Sequence, residues 1–337
     1  MRPAPTPADG TGWTRRGLLA GASAATLLGV SACSSAGPSA APTGAAVPSG
    51  GTGFPRTVEH AAGSTVVERA PRRVVAATDG AELASLLALG VTPVGFGQRN
   101  DPLTPWVLEA GGDDPAIERY RLGGEPNFER MASWRPDVIV GQYGFVTEDT
   151  IEDFAAIAPT VSTSFVGWRD NLRQVAATVG EDEEAERLVA ELDAEIAAAG
   201  ERLAGSALQM RWVFAFPGYY GQLNDASPVG ALLTEMGLPS LPAQQAEGEA
   251  ADEVVVEQLY GALEDADGIV VLDFEEPEGD AVRLLEDQAL YATVPAVAAG
   301  RVVRLGVAES NAAYVDSVLT VRGNLALVER VVAELRG

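Results

Sequence analysis

The chain contains no lysine, and all 23 of its basic residues are arginine. Against them stand 48 acidic residues, for a formal net charge of −25. Nucleic acid and anionic lipid are drawn to basic patches, so a body this acidic excludes nucleic acid as a partner and has no electrostatic hold on a bilayer. The single cysteine, Cys33, excludes an intramolecular disulfide. The single histidine, His60, speaks against a multi-histidine metal cage, and a serine–histidine triad would have to use it. It stands in a polar stretch ahead of the first buried-strand pattern, where a surface or hairpin position is the ordinary reading. No Gly-x-Ser-x-Gly elbow is present either. A direct zinc or manganese binder and an exported hydrolase are therefore the weak readings.

The N-terminus reads as an address. Thr14-Arg15-Arg16-Gly17-Leu18-Leu19 sets paired arginines before the apolar run Leu18 to Val30. That run is shorter than the about 20 residues a spanning helix needs. It ends in Val30-Ser31-Ala32-Cys33, a bacterial lipobox pattern, so residues 1–32 read as a signal peptide and Cys33 as the lipidated first residue. The arginine pair points to twin-arginine export over the general route. Losing residues 1–32 removes three arginines and one aspartate, leaving 20 basic against 47 acidic residues, or −27. From Ser34 to Gly53 every residue but Val47 is Ala, Pro, Ser, Gly or Thr, so 33–53 reads as a disordered, lipidated tether.

With 337 residues, 47% of them apolar, the chain can bury real cores. Strand and helix patterns alternate after Phe54. Strands are expected at 73–78, 93–97, 137–142 and 161–165, with helices at 81–89, 127–134 and 151–158. That rhythm predicts βαβ units and a mainly parallel sheet. Ala185, Leu188, Val189, Leu192, Ile196, Ala199 and Leu203 then recur at steps of three and four, one apolar stripe of a long helix over 181–205. Strands at 211–216, 268–274 and 301–305 follow, with helices at 229–236 and 315–335. The fold class expected is α/β: an N-terminal lobe (54–180) and a C-terminal lobe (206–337), each with a mainly parallel sheet, joined by the long helix. The lobes also resemble each other. "NFERMASWRPDVIVGQ" (127–142) aligns in outline with "VVVEQLYGALEDADGIVVLD" (254–273), setting Glu129 opposite Glu257.

Val58-Glu59-His60-Ala61-Ala62-Gly63-Ser64-Thr65 with Pro71-Arg72-Arg73-Val74-Val75, "EPNFERMASWRPDVIVG" (125–141) and "YATVPAVAAGRVVRL" (291–305) resemble, in this order, the iron-siderophore and cobalamin substrate-binding proteins of ABC transporters. The resemblance spans about residues 54–335. It implies a rigid two-lobed clamshell that captures a ferric siderophore in its cleft, acts as a monomer with no intrinsic cofactor or catalytic residue, and hands its cargo to an ABC permease. It also implies that Glu129 and Glu257 dock on permease arginines. Cobalamin or haem is the alternative ligand within the same clamshell.

Ligands in parallel α/β lobes sit outside the carboxyl ends of the strands. The loops expected there carry Asp79, Arg99 with Asn100, Tyr143, Trp168, Arg169, Tyr219, Tyr220, Glu309, Asn311 and Tyr314, with Gly141 and Gly218 as flanking turns. Aromatic faces and arginine forks suit a flat, partly apolar chelate. Tyr143, Trp168, Arg169 and Tyr219 head this set.

Overall fold

A computed structural model describes residues 53–99, 102–164, 167–217, 219–243, 251–274 and 280–337. The leader, Cys33, nearly all of the tether, Asn100 and Gly218 lie outside the described residues.

The N-lobe opens with an antiparallel hairpin, β1 (Arg56–His60) and β2 (Gly63–Val67). There follow β3 (Val74–Ala76), α1 (Ala81–Ala88), β4 (Gly95–Gln98), α2 (Pro105–Glu109), β5 (Glu118–Arg121) and α3 (Phe128–Ser133). The lobe is completed by β6 (Val138–Gln142), α4 (Ile151–Ala155), β7 (Thr160–Thr163) and α5 (Trp168–Val179). Its sheet is wholly parallel in the order β5-β4-β3-β6-β7. The middle strands are buried on both faces, which is why β3 and β6 read as continuous apolar runs, whereas edge strand β5 reads Glu-Arg-Tyr-Arg.

After α6 (Asp182–Arg202) come β8 (Met210–Phe216), β9 (Tyr219–Leu223), α7 (Pro228–Glu235), β10 (Ala251–Val254), α8 (Val256–Glu264) and β11 (Gly268–Leu272). The chain then forms α9 (Asp280–Glu286), α10 (Pro295–Ala298), β12 (Val302–Arg304), α11 (Val307–Tyr314) and α12 (Val321–Arg336). The sheet order is β10-β9-β8-β11-β12, the counterpart of the N-lobe order, except that β9 runs antiparallel to β8 in a tight hairpin. The helix expected from 315 begins instead at Val321, because residues 315–320 form a turn in which Thr320 Oγ1 donates to the Val315 carbonyl at 2.9 Å.

The internal repeat has a structural basis. Asp137, one residue before β6, accepts from the Arg72 amide at 2.8 Å; Asp267, one residue before β11, accepts from the Gln209 amide at 2.9 Å. Each carboxylate ties the lobe's first central strand to its neighbour. Glu129 and Glu257 both fall in the first turn of the helix that precedes this aspartate, and both are exposed.

One apolar cluster runs from the N-lobe sheet through α5 and α6 to the C-lobe sheet and α12, including Leu172, Leu192, Ile196, Trp212 and Val328. The outer face of each sheet carries its own smaller cluster. The stripe on α6 is buried as its periodicity demands. Each such buried aliphatic contributes about 1.5–3 kcal/mol. Because α6 is held by the core it shares with both lobes, it acts as a packed strut between them.

Candidate functional site

In the N-lobe the carboxyl end of β3 leads into Thr78, Asp79 and Gly80. Asp79 is buried and its Oδ1 accepts from the Arg99 amide at 3.0 Å, holding the end of β4 beside the end of β3. The Arg99 side chain is exposed. Tyr143 follows β6, its amide donating to Thr163 O at 2.7 Å. Its half-buried ring ends in a hydroxyl that donates to Glu148 Oε2 at 2.9 Å, and this bond to a carboxylate pushes the phenol pKa up.

The C-lobe presents five packed rings, those of Phe214, Phe216, Tyr219, Phe274 and Tyr314. Trp212, Phe214 and Phe216 share one face of β8 by the two-residue repeat of a strand, while Val213 and Ala215 face the other way. Phe216 pairs with Tyr219 across the hairpin, ring centroids 6.0 Å apart. Phe274, just beyond β11, stacks on Phe216 at 6.3 Å and meets Phe214 edge-on at 5.4 Å. Tyr314, at the end of α11, meets Phe274 edge-on at 5.7 Å and is 41% exposed, so the cluster opens to solvent there. Gly221 makes this packing possible: a methyl group at that position would lie 2.2 Å from the Phe214 ring. Phe214, Phe216 and Phe274 were not among the residues expected from sequence. The Phe-x-Phe alternation on β8 was the available signal for the first two.

Not every expected residue joins these loops. Tyr220, adjacent to Tyr219 on β9, packs against the opposite face of the sheet, with the cluster containing Tyr260. The Asn311 side-chain Nδ2 donates back to Val307 O at 2.9 Å, one helical turn away, and Glu309 is paired with Arg330 at 2.6 Å.

Trp168 and Arg169 serve the junction of the lobes. Trp168 is only 8% exposed, so its indole presents little surface to a ligand. The Arg169 guanidinium stacks over that indole at 4.4 Å. It donates from Nε and Nη2 to Asp193 Oδ1 on α6, at 2.8 and 2.6 Å. It also donates from Nη1 and Nη2 to Glu235 on α7, at 3.1 and 2.7 Å. Both edges of the guanidinium fork are therefore engaged by protein carboxylates. Beside it, Asp316 of the C-lobe accepts from the amides of Gly167 at 2.5 Å and Trp168 at 3.2 Å, at the start of α5. Burial holds the Asp316 carboxyl above the usual carboxylate range although both amides favour its charge. The contact joins the loop after β7 in the N-lobe to the turn between α11 and α12 in the C-lobe. A cavity of about 220 Å³ lies at this junction, lined by Trp168, Arg169, Glu235 and Asp316 among others. Among the described residues no three His, Cys, Asp or Glu side chains are grouped as metal ligands.

Residues 75–308 match the model of the periplasmic binding protein family. The probable siderophore-binding lipoprotein YfiY of Bacillus subtilis is 37% identical over 143 residues, 41% of this chain and 42% of that protein, so the match spans less than half of the relative's length. The siderophore periplasmic binding protein from the fuscachelin gene cluster of Thermobifida fusca is 26% identical, with a TM-score of 0.58 over 78% of this chain and 97% of that one. PiaA of Streptococcus pneumoniae, solved in complex with ferrichrome, is 20% identical with a TM-score of 0.65, covering 82% of this chain and 99% of its own. With two α/β lobes of matching strand order, a single connecting helix and a family match over most of its length, the chain belongs to the periplasmic binding protein family.

Proposed function

We propose that this protein is a lipid-anchored, extracytoplasmic solute-binding protein that captures a ferric siderophore and delivers it to an ABC permease for iron uptake. The observation that carries the reading is the solvent-opening aromatic cluster of Phe216, Tyr219, Phe274 and Tyr314 at the strand ends of the C-lobe. A ferric chelate wraps its metal in its own oxygens and shows the protein an apolar rim, which aromatic faces cover well. Arg99 and Tyr143 face the chelate from the N-lobe, with buried Asp79 holding Arg99 in place. Trp168 and Arg169 set the lobe junction, while Tyr220 and Asn311 support the C-lobe.

Of the two arginines expected at the cleft, Arg169 is already neutralised by Asp193 and Glu235. A tricatecholate complex of about three negative charges would therefore meet little compensating charge in a strongly acidic protein. A neutral or cationic ferric hydroxamate is the preferred cargo. The protein works as a monomer and is not an enzyme. Glu129 and Glu257, at equivalent places on the two lobes, dock on the permease, and the acylated Cys33 and its tether keep the body at the membrane.

Tryptophan-quenching titrations against ferrichrome, a ferric tricatecholate, haem and cobalamin test the reading. Submicromolar binding of ferrichrome with weaker binding of the rest is expected. Tight binding of haem or cobalamin alone would replace the siderophore by that ligand, and nanomolar tricatecholate binding would overturn the charge argument.

A further inference from the structure

Beneath the cleft floor proposed above lies Glu82, on the first turn of α1 and 0% exposed. Its Oε1 accepts from the Thr78 amide at 2.9 Å and from Thr78 Oγ1 at 2.7 Å. Thr78 Oγ1 in turn accepts from the Gly80 amide at 3.1 Å, and between them Asp79 holds the Arg99 amide. These hydrogen bonds and the backbone of the 78–80 turn together link the Glu82 carboxyl to the base of Arg99. β3 is the middle strand of its sheet, so this turn lies at the centre of the lobe's ligand-facing edge.

The other carboxyl oxygen, Oε2, is buried and accepts no hydrogen bond among the described residues. It lies 2.9 Å from where a methyl group at Gly80 would be, with Thr78 Oγ1 at 2.9 Å and Gln142 Oε1 at 3.2 Å from the same point. A side chain at position 80 would press on the Glu82 and Thr78 oxygens. Three oxygens border that point, and Thr78 already directs its proton to Oε1. No donor reaches Oε2 to stabilise a charge there among the described residues. A carboxylate would leave a charge that is half unsolvated, at a higher cost than a neutral polar group.

We propose that Glu82 is a positioning residue for chelate capture: its neutral carboxyl holds the 78–80 turn and Arg99 in place, and loss of its proton loosens the turn and weakens binding. This rests on the siderophore reading of the cleft. Burial is the main reason the carboxyl is pushed up to about 7, with the charge of Asp79 adding to it. Among the described residues, Asp79 is the one charge that acts on the group. β6 brings Gln142, α5 brings Asn171, which accepts from Ser85 Oγ at 2.8 Å, and Glu109 of α2 is exposed.

Ferrichrome titrations from pH 5.5 to 8.5 on the wild-type chain, Glu82→Gln and Thr78→Val test the proposal. The wild-type Kd should rise about tenfold between pH 6 and 8.5, an ordinary size for coupled sites. Glu82→Gln, which keeps a neutral side chain, should bind tightly with no pH dependence. Thr78→Val should bind more weakly at every pH. A flat wild-type profile, or a Glu82→Gln profile that still follows the wild type, overturns it. Should ferrichrome fail to bind at any pH, the hydroxamate reading fails and the turn is read directly. Hydrogen exchange at the Gly80 and Arg99 amides of the free wild-type protein, corrected for intrinsic rates, should then quicken as pH rises through about 7. Unchanged protection would refute the proposal.

Discussion

Replacing Arg169 by alanine separates a lobe-junction residue from a ligand-binding one. The side chain is 26% exposed, while Asp193 and Glu235 are 47% and 38% exposed, so solvent screens both ion pairs. At that exposure each pair contributes about 0.5 kcal/mol. Stacking over Trp168 adds roughly 0.5–1 kcal/mol, and the aliphatic stem packed beside it adds a similar amount, about 0.5 kcal/mol. Arg169→Ala should therefore destabilise the protein by about 2 kcal/mol and lower its melting temperature by roughly 5 °C for a body of this size. Arg169→Lys keeps the charge but cannot fork onto two carboxylates, and should recover no more than half of the loss. Thermal and urea unfolding followed by tryptophan fluorescence give the stability, and ferrichrome titration gives the affinity. Double-mutant cycles with Asp193→Ala and Glu235→Ala should each show coupling of about 0.5 kcal/mol. Unchanged stability together with a loss of ferrichrome affinity beyond tenfold would refute this reasoning and return Arg169 to the ligand.

Four other outcomes are expected. Cys33→Ala should leave the protein unprocessed or release it from membranes, as read by fractionation; membrane association of a processed mutant would rule out the lipid anchor. Reversing both Glu129 and Glu257 to Arg should abolish iron uptake while the ferrichrome Kd stays within about twofold, and a large loss of affinity would place these residues in the cleft or the fold. Tyr314→Ala removes the most exposed ring of the cluster and should weaken ferrichrome binding by about 1 kcal/mol, the scale of one aromatic contact; an unchanged Kd would move the site off the cluster. Glu82 holds its proton more tightly folded than unfolded, so its contribution to stability is greatest below pH 4.5 and is lost as pH rises to about 7. By linkage that loss is about 3 kcal/mol, and a Glu82→Gln chain showing the same pH slope by urea unfolding would disprove it.

The helices and strands of the N-lobe were legible because their signals are local. Asn127 caps α3, its Oδ1 accepting from the Arg130 amide at 2.9 Å, and the helix stops before Pro136 as the sequence implies. The edge strands β5 and β10 were missed because an edge carries polar side chains and loses the apolar run that marks a buried strand. The late start of α12 was missed because the apolar periodicity continues through Val315 and Val318, while residues 315–320 turn and place Asp316 at the start of α5.

By itself the sequence determined the alternation of strand and helix, the buried stripe of α6, the repeat that sets Glu129 against Glu257, and the lone histidine and cysteine that narrow the chemistry. These follow from periodicity, capping and composition, which act between residues close along the chain. Tertiary structure decided the site. Arg169 is engaged by carboxylates 24 and 66 positions away. The aromatic cluster gathers residues from Phe214 to Tyr314. Tyr219, and not Tyr220, joins the rings because of the register in which β9 pairs with β8, and burial in the packed lobe raises the Glu82 pKa. Such properties depend on which side chains meet in space and which lose solvent, and a residue's neighbours in sequence do not specify either.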